Sequence, residues 1–256
     1  MTTPMTRRAM LAGTACGAAA LMASQPAAGL EPASQEPPAP IQLKPGTTVL
    51  FQGDSITHGK RKGSAKDKVN NFDMLGTGYV NMIASALLTR HAELELRTFN
   101  RGVPGHKIPQ LDNRWDRDCI DLKPDVLSIM IGVNDIWHMK RKTYKGTIES
   151  YAAGYKALLK RTRDALPDIQ LVICEPFVTR TGVVQDNWFP DFDAYRAAAK
   201  AAADEFKAVF VPFHSMFEKA VELNGDPAYW AYDGVHPTSH GDALMSSRWL
   251  SETGLA

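Results

Sequence analysis

The sequence predicts an α/β fold in which helices cover both faces of a central parallel sheet of about five strands. From about residue 47 onward, short apolar runs alternate with amphipathic stretches. The runs are rich in β-branched residues and are bounded by turn residues, a pattern typical of buried parallel strands. Parallel strands need crossover connections, so the amphipathic stretches between them are expected to be helices packed on the sheet.

Five apolar runs and six amphipathic stretches give the order of the elements. The runs predict strands at 47–52, 94–99, 125–132, 169–175 and 208–212. The amphipathic stretches predict helices near 78–91, 107–121, 144–165, 192–206, 214–224 and 239–252. In such sheets ligands bind beyond the carboxyl ends of the strands. Ser55, Gly105 and Asn134 all follow such ends, which indicates a site there.

Composition and charge exclude some classes of function. The chain has 256 residues, of which 44% are hydrophobic and 22% charged, which is enough for one sizeable core. The formal net charge is +1. A protein this close to neutrality lacks the electrostatic attraction that nucleic acids and anionic lipid surfaces require, so neither is an expected partner.

The first 29 residues predict an export signal. Arg7 and Arg8 precede a small-residue and apolar stretch over 10–23, which is too short to span a membrane. The arginine pair resembles a twin-arginine signal, and a general secretory signal is the alternative. Either signal predicts an exported protein, periplasmic or extracellular, without a transmembrane span. Residues 30–46 are rich in proline and predict a linker, and 47–256 form the predicted folded domain.

No metal or other cofactor is predicted. Cys119 and Cys174 are the cysteines that follow the export signal, and two buried thiols are favoured over a disulfide. His236 and His240 lie four residues apart, as some metal ligands do. Pro237 breaks the local helix, however, and no third acidic ligand has a standard spacing.

Three separate segments carry polar residues that could act together. Ser55 follows the first strand in a Gly-Asp-Ser sequence, and Asn134 follows the third strand. Asp233 and His236 lie three residues apart in a polar loop. A serine hydroxyl becomes a nucleophile when a histidine takes its proton and a carboxylate orients that histidine, while an amide can donate to an oxyanion. These are the parts of a serine esterase; helix capping and turn formation are the alternative roles for Ser55 and Asn134.

A backbone donor for the same oxyanion would come from the loop after the second strand. Gly105 and Gly102 are both candidates, because glycine permits positive φ and lets an N–H face a ligand. The spacing does not show which of the two glycines supplies the donor. For both, a simple turn without a role in binding is the alternative. His58 and His106 flank Ser55 and Gly105 and are candidate pocket residues.

These segments, in this order, resemble the four sequence blocks of the SGNH (GDSL-type) hydrolase superfamily. Ser55, Gly105, Asn134 and His236 match the four residues for which the superfamily is named. The resemblance covers essentially the whole predicted domain and implies a three-layer α/β/α sandwich of the flavodoxin-like type. It also implies catalysis by Ser55, Asp233 and His236. The oxyanion hole would be formed by the N–H groups of Ser55 and Gly105 and by the Asn134 amide.

Within the superfamily, the chain most resembles the SGNH acetylxylan esterases. The matching stretches are 75–80, 114–115, 128–137 and 235–237. This resemblance implies removal of acetyl groups from xylan or xylo-oligosaccharides, so an acetylated carbohydrate is the expected partner. Pro104, where serine is more usual, and the basic segment 58–72 depart from the family's pattern. The segment 58–72 borders the expected site, so substrate choice is the property that it leaves open.

Candidate substrate-binding residues surround the predicted nucleophile. They are Asp54, His58, His106 and Trp137. Trp115, Trp188 and Trp230 could also stack on sugar rings, although core packing is favoured for Trp115.

Two other functions are compatible with the same residues. A lipase, lysophospholipase or thioesterase of the superfamily would need an apolar acyl channel, and no apolar insertion near the site indicates one. A non-catalytic carbohydrate-binding protein would have little reason to keep Ser55, Asp233 and His236 together. A homo-oligomer is compatible with the sequence, which identifies neither the glycan nor the position of the acetyl group.

Overall fold

A sheet of five parallel strands forms the centre of the fold in the computed structural model, which describes residues 38–62 and 68–256. The strands are β1 (Thr48–Gly53), β2 (Arg97–Asn100), β3 (Val126–Met130), β4 (Gln170–Cys174) and β5 (Val209–Val211). They pair in the order β2-β1-β3-β4-β5, and every pair is parallel. The predicted central parallel sheet of about five strands is confirmed.

Helices connect and follow the strands. Those of the described residues are α1 (Ser55–His58), α2 (Phe72–Leu75), α3 (Tyr79–Arg90), α4 (Ile108–Asp112), α5 (Trp115–Asp118), α6 (Val133–Lys140), α7 (Ile148–Ala165), α8 (Asp191–Glu205), α9 (Phe213–Asn224), α10 (Pro227–Trp230) and α11 (Ser239–Glu252). Short 3₁₀ turns occur at Ala92–Leu94, Ile120–Leu122 and Asp186–Trp188.

The helices form one layer on each face of the sheet. The helix α3, which connects β1 to β2, packs against α11. The helices α7 and α8, which connect β3 to β4 and β4 to β5, pack against each other. Right-handed crossovers that run in opposite directions along a sheet place their helices on opposite faces. The result is the three-layer α/β/α sandwich of SGNH hydrolases that the sequence predicts.

The strands β1 and β3 are neighbours, and the chain leaves them in opposite directions. From β1 it crosses over to β2, and from β3 it crosses over to β4. A crevice therefore forms between the carboxyl ends of these two strands, where open parallel sheets bind their ligands. Ser55 comes two residues after Gly53, the end of β1, and Asn134 comes four residues after Met130, the end of β3.

The middle of the sheet is buried on both faces. Leu50 and Phe51 of β1 have no exposed surface, and the ring of Phe51 lies 5.6 Å from that of Trp249. Trp115 is also fully buried, and its Nε1 donates to Thr162 Oγ1 at 2.9 Å, which satisfies the polar atom of a core indole. Trp115 is therefore a packing residue, as predicted.

The cysteines Cys119 and Cys174 are both free and fully buried. Burial raises the pKa of the Cys174 thiol to about 12 and raises that of Cys119 further. The cause is that a buried thiolate loses its hydration. The prediction of two buried thiols is confirmed, and both are unreactive at neutral pH because the thiolate is the reactive form.

The structure differs from two of the predicted helices. The predicted helix 107–121 is broken into α4, α5 and a 3₁₀ turn, because Arg114 leaves the helical conformation and directs its side chain to the end of β1. The predicted helix 144–165 begins only at Ile148, where the Thr147 side chain caps it by accepting from Ser150 N at 3.2 Å. The helix α6, directly after β3, is an addition to the predicted elements.

The second strand is shorter than the predicted 94–99. A 3₁₀ turn ends at Leu94, and Glu95 has a φ of 49°, which no strand residue adopts. The strand begins at Arg97, whose N–H donates to Thr47 O at 2.9 Å. The predicted apolar run thus includes Leu94, which belongs to the 3₁₀ turn and packs on the core without joining the sheet.

Part of the segment predicted as a linker packs on the domain. Ile41 is buried, and its N–H donates to Thr253 O at 3.0 Å, so the chain enters the fold beside the end of α11. Gln42 and Gln170 exchange hydrogen bonds of 2.7 and 2.8 Å. The predicted export signal and residues 30–37 lie outside the described residues. Within the described part, no helix has the length and apolar character needed to cross a membrane.

Candidate active site

The side chains of Ser55, His236 and Asp233 form a continuous chain of hydrogen bonds. Ser55 Oγ lies 2.9 Å from His236 Nε2, and His236 Nδ1 lies 2.8 Å from Asp233 Oδ2. The fold thus brings together the three residues predicted as catalytic, although 181 positions separate Ser55 from His236. With Nδ1 facing a carboxylate, Nε2 is the nitrogen that can accept the Ser55 proton.

The backbone around Ser55 turns sharply from β1 into α1. Asp54 caps the helix, since its carboxylate accepts from Ile56 N at 3.0 Å. Gly53, the last residue of β1, leaves no room for a side chain, because a Cβ there would lie 2.9 Å from Thr57 Cβ. This close approach of strand and helix presents Ser55 at the carboxyl end of β1.

The carboxyl group of Asp233 is held in its ionised form. Its Oδ1 accepts the N–H groups of Val235 and His236 at 2.9 and 2.7 Å. Partial burial raises the pKa of this carboxyl, but the hydrogen bonds outweigh burial and hold the pKa below that of an ordinary aspartate. Asp233 is therefore a carboxylate at neutral pH and can stabilise an imidazolium at His236.

The donors predicted for an oxyanion come together in the loop after β2 and at the start of α6. Asn134 is buried, and its Nδ2 donates to His106 O at 3.3 Å, which ties it to that loop. The N–H of Gly102 donates to Asn100 Oδ1 at 2.9 Å. Gly105 has a φ of +76°, and its N–H donates to no other described residue. Of the two glycines, Gly105 therefore has the N–H that is available to a ligand.

Two buried carboxyl groups lie beside these donors. Burial raises the pKa of Asp54 to about 6, while His236 and the Asn134 side chain act in the opposite direction. Burial also raises the pKa of Asp135 to about 7, although its Oδ1 accepts from Ile108 N at 3.3 Å. Asp54, a candidate substrate-binding residue, is 1% exposed, so its contacts are with the protein beneath Ser55.

The histidines His58 and His106 are half-buried at the edge of the same crevice. His106 Nδ1 accepts from Arg114 Nε at 3.1 Å. Burial and the cations Arg114 and Lys107 lower the pKa of His106 to about 4. Burial, with Arg61, lowers the pKa of His58 as well. Both imidazoles are therefore neutral at pH 7.

Residues 51–244 match the model of the GDSL-like lipase/acylhydrolase family, which is more than half of the chain. The chain belongs to this family. Among curated proteins, an acetylxylan esterase from Geobacillus stearothermophilus is 32% identical over 220 residues, which cover 84% of this chain and 97% of that enzyme. The resemblance to SGNH acetylxylan esterases that the sequence indicates is thereby confirmed, and the protein is a carboxylic ester hydrolase.

Solved structures of family members agree with the architecture. A protein from Parabacteroides merdae described as a GDSL-like lipase has a TM-score of 0.81 at 45% identity, covering 85% of this chain and 100% of its own. An acetylxylan esterase from Geobacillus stearothermophilus has a TM-score of 0.74 at 32% identity, covering 84% and 98%. Two further structures of that esterase carry alanine for a serine and for a histidine, and both are described as catalytic mutants.

Aromatic rings border His236 in this esterase. The ring of Trp137 lies 6.3 Å from the imidazole, and that of Tyr232 lies 6.0 Å from it at an interplanar angle of 18°. Tyr232 is 56% exposed, whereas Trp188, 6.2 Å from Trp137, is 3% exposed. Trp137 and Tyr232 are thus the rings that can meet a substrate, and Trp188 supports Trp137 from the core.

Sequence reasoning missed the site contacts of two residues, although one of them, Arg114, stands in the stretch 114–115 that matches the acetylxylan esterases. Tyr232 directly precedes Asp233, and that adjacency is a signal that could have identified it. Arg114 is 6% exposed and bonds to His106 and to Gly53 O at 3.2 Å. The signal for Arg114 was an arginine directly before a core tryptophan, where a charged side chain needs buried partners.

The described part of the esterase contains no group of three or more His, Cys, Asp and Glu side chains arranged to hold a metal ion. Both ring nitrogens of His236 are taken by Ser55 and Asp233. His240, its partner in the metal alternative, instead stacks on Tyr229 with a centroid distance of 4.3 Å. His236 and His240, whose spacing resembles that of some metal ligands, therefore make different contacts.

A pocket of about 470 Å³ lies between α9 and the loop after β4. Its lining includes Thr179, Phe189, His214 and Phe217 but not Ser55. The loop after β4, which lines this pocket, also contacts the loop that carries Asp233, because Val183 N donates to Asp233 O at 3.0 Å. The pocket is therefore separate from the crevice that holds Ser55.

Proposed function

We propose that this esterase removes O-acetyl groups from a carbohydrate, with acetylated xylan or xylo-oligosaccharides as the substrate. The observation that carries the proposal is the unbroken hydrogen-bond chain from Ser55 through His236 to Asp233. The similarity to an acetylxylan esterase over 97% of that enzyme supports the substrate class.

Acylation begins with attack of Ser55 Oγ on the acetyl carbonyl carbon. His236 Nε2 takes the hydroxyl proton as the Oγ–C bond forms, and Asp233 stabilises the resulting imidazolium. The carbonyl oxygen becomes an oxyanion. The N–H groups of Ser55 and Gly105 and the side-chain amide of Asn134 are the donors that stabilise it.

Collapse of this intermediate releases the sugar. The bond between the carbonyl carbon and the sugar oxygen breaks, and His236 gives its proton to that oxygen, which leaves as a hydroxyl. Deacylation repeats the sequence with water. His236 takes one water proton as the water oxygen attacks the acetyl-Ser55 carbonyl. The bond to Ser55 Oγ then breaks, His236 returns the proton to Oγ, and acetic acid leaves and ionises to acetate.

Two features support a carbohydrate as the alcohol part of the ester. Trp137 and Tyr232 lie beside His236, the group that protonates the leaving oxygen, so they are placed where the sugar would lie. Aromatic faces with a polar edge suit sugar rings, which present both C–H and O–H groups. We also propose that the predicted export signal is functional. Export would bring the enzyme to extracellular or periplasmic glycans.

The test is acetate release from acetylated xylan by the purified chain. Ser55→Ala is expected to lower the rate on the order of 10⁴- to 10⁶-fold without a change in fold, because the nucleophile is lost. His236→Ala is expected to act alike, whereas His240→Ala, which removes a histidine four positions away, should leave the rate unchanged. Xylan binding without any acetate release would instead support a carbohydrate-binding protein.

A lipase or other long-chain acylhydrolase is the second candidate. It is favoured by the 45% identity to a protein described as a GDSL-like lipase. The comparison to make is Ser55-dependent hydrolysis of acetate, butyrate and octanoate esters of the same alcohol. We expect acetate to be fastest, and a maximum at octanoate would replace the acetylesterase proposal with the lipase.

A further inference from the structure

The guanidinium of Arg114 joins the start of α5 to the end of β1 and to the loop after β2. Arg114, at the N-terminus of α5, is 6% exposed. Its Nη1 donates to Gln52 Oε1 at 2.8 Å and its Nη2 donates to Gly53 O at 3.2 Å, both at the end of the strand that leads to Ser55. Its Nε donates to His106 Nδ1 at 3.1 Å. The loop that follows β2 is thereby fastened to the end of β1.

The contact with Arg114 decides which nitrogen of His106 carries the proton. A guanidinium only donates hydrogen bonds, so Nδ1 must be an acceptor and the proton must be on Nε2. The charged groups that act on this ring are Arg114 and Lys107, which disfavour the imidazolium together with burial, and Asp118, which favours it. Their balance leaves a pKa of about 4, so the ring is neutral from pH 5 to 8.

The backbone of His106 lies beside the oxyanion donors. His106 follows Gly105 in the chain, and its carbonyl oxygen accepts from Asn134 Nδ2 at 3.3 Å. The ring is half-buried, with Nδ1 turned to a buried guanidinium and Nε2 at the opposite edge. No other described residue accepts a hydrogen bond from Nε2, which leaves this N–H available to a ligand.

We infer that Arg114 is a positioning residue that holds His106 as a neutral Nε2–H donor, and that His106 binds an oxygen of the sugar next to the acetyl group. The second half rests on the proposed function. The acetyl carbonyl oxygen is already served by the N–H groups of Ser55 and Gly105 and by Asn134. The acceptors left for His106 are therefore the hydroxyl, ring or glycosidic oxygens of the alcohol part.

The proton position can be measured without any substrate. In protein labelled with ¹⁵N-histidine, the ring ¹⁵N shifts of His106, assigned with His106→Gln, are expected to show an unprotonated Nδ1 and a protonated Nε2 from pH 5 to 8. A proton on Nδ1, or titration near the ordinary histidine value of about 6.5, would overturn the inference. This result stands whether or not the protein cleaves acetylated sugars.

The role of Arg114 is tested by the same spectrum in variants. In Arg114→Met the pKa of His106 should rise toward its ordinary value, and in Arg114→Lys, which keeps the charge, it should rise less. Arg114 Nη1 lies 3.4 Å from Asp118 Oδ2. Arg117→Met is the matched control, because Arg117 pairs with the same carboxylate but is 64% exposed and does not contact His106. An unchanged His106 in Arg114→Met would refute the positioning role. If that variant does not fold, the wild-type spectrum and the His106 variants decide.

The substrate contact is tested by comparing two esters. His106→Leu should lower kcat/KM on acetylated xylo-oligosaccharides about 2- to 10-fold, the effect of one neutral hydrogen bond. The loss of kcat/KM should be smaller on an aryl acetate, which has no sugar oxygen. His106→Gln, which keeps a side-chain N–H donor, should recover most of the loss. Equal losses on both esters would contradict the sugar contact, and activity on the aryl acetate alone in the wild type would refute the proposed substrate instead.

Discussion

Thr179 donates its backbone N–H to the carbonyl oxygen of Gly234 at 2.8 Å, one residue after the aspartate that holds His236. A second such bond runs from Val183 N to Asp233 O at 3.0 Å. The loop after β4 therefore supports the loop that carries Asp233 from outside the crevice. This support matters for the proposed mechanism, because Asp233 can orient His236 only while its carboxylate stays aligned with Nδ1.

Replacing the carboxylate of Asp233 should reduce the rate while leaving the fold intact. Asp233→Asn cannot stabilise the imidazolium and favours the wrong tautomer of His236, so kcat should fall on the order of 10³- to 10⁴-fold. Asp226→Asn, in the cap of α10, serves as the control, with kcat expected to stay at the wild-type value. A kcat for Asp233→Asn within tenfold of wild type would remove Asp233 from the mechanism.

Alanine at the two glycines of the loop after β2 should have different effects. A Cβ at Gly102 would lie 2.7 Å from Thr57 C and 2.9 Å from Asp54 O, so Gly102→Ala should lower Tm by several degrees. Gly105 has open space around it, and its positive φ costs an alanine roughly 1 kcal/mol. Gly105→Ala should therefore lower Tm little and kcat more, as the N–H direction changes.

Thermal unfolding and kcat, measured together on both variants, check that prediction. If Gly105→Ala kept wild-type kcat while Gly102→Ala lost activity at temperatures where it is folded, the donor would belong to Gly102. The wild-type bond from Gly102 N to Asn100 Oδ1 argues for the opposite outcome.

Tyr232 should contribute to sugar binding. Tyr232→Ala removes the exposed ring beside His236, so KM for acetylated xylo-oligosaccharides should rise about 2- to 10-fold, the scale of a modest aromatic contact. The KM for a small aryl acetate should change less. Tyr232→Phe keeps the ring and should behave as wild type. Tyr229→Ala, which also removes an exposed tyrosine, is the control. A larger rise in KM for Tyr229→Ala than for Tyr232→Ala would show that the sugar binds beside α10 instead.

The carboxyl group of Asp242 should make stability depend on pH. Burial raises its pKa in the folded chain to about 7, although Tyr79 N donates to its Oδ1 at 2.9 Å and Lys60 favours the charge. The folded state therefore holds a proton that the unfolded chain, with an aspartate pKa of about 3.9, releases. The stabilisation of the folded state by this bound proton is fully present below about pH 4, and it is lost as pH rises through about 7.

Asp242→Asn removes that titration and keeps an oxygen that can accept from Tyr79 N. Its Tm should match wild type at about pH 4 and exceed it by a few degrees at pH 8. Asp226→Asn, whose carboxylate caps an exposed turn, should show no such pH-dependent gain. A gain of the same size at both pH values would show that burial of charge is not the cause.

The strands could be predicted because parallel strands buried on both faces must be apolar throughout. The helices were less predictable. The pattern of 107–121 continues through Arg114, and only the partners of that side chain at the end of β1 explain why the helix breaks. Similarly, α6 buries its first four residues, 133–136, and two of these are polar, so an apolar pattern does not reveal it. It begins after Gly132, which has a φ of 135°.

The site residues could be proposed from local motifs, but their relations could not. Ser55, Asn134 and His236 stand in recognisable segments, and the fold brings those segments to one crevice. The choice between Gly102 and Gly105 depends on the side chain of Asn100, which no local pattern reveals. The proton position in His106 likewise depends on a contact eight residues along the chain.

The bond from Ile41 N to Thr253 O brings the two ends of the described chain to the edge of the sheet where β1 begins. The crevice lies at the other edge, where β1 and β3 end. A fusion, a surface attachment or a new covalent link between the ends would therefore be made on the far side from Ser55. An attachment made beside Ile41 or Thr253 would therefore leave the crevice facing away from the support.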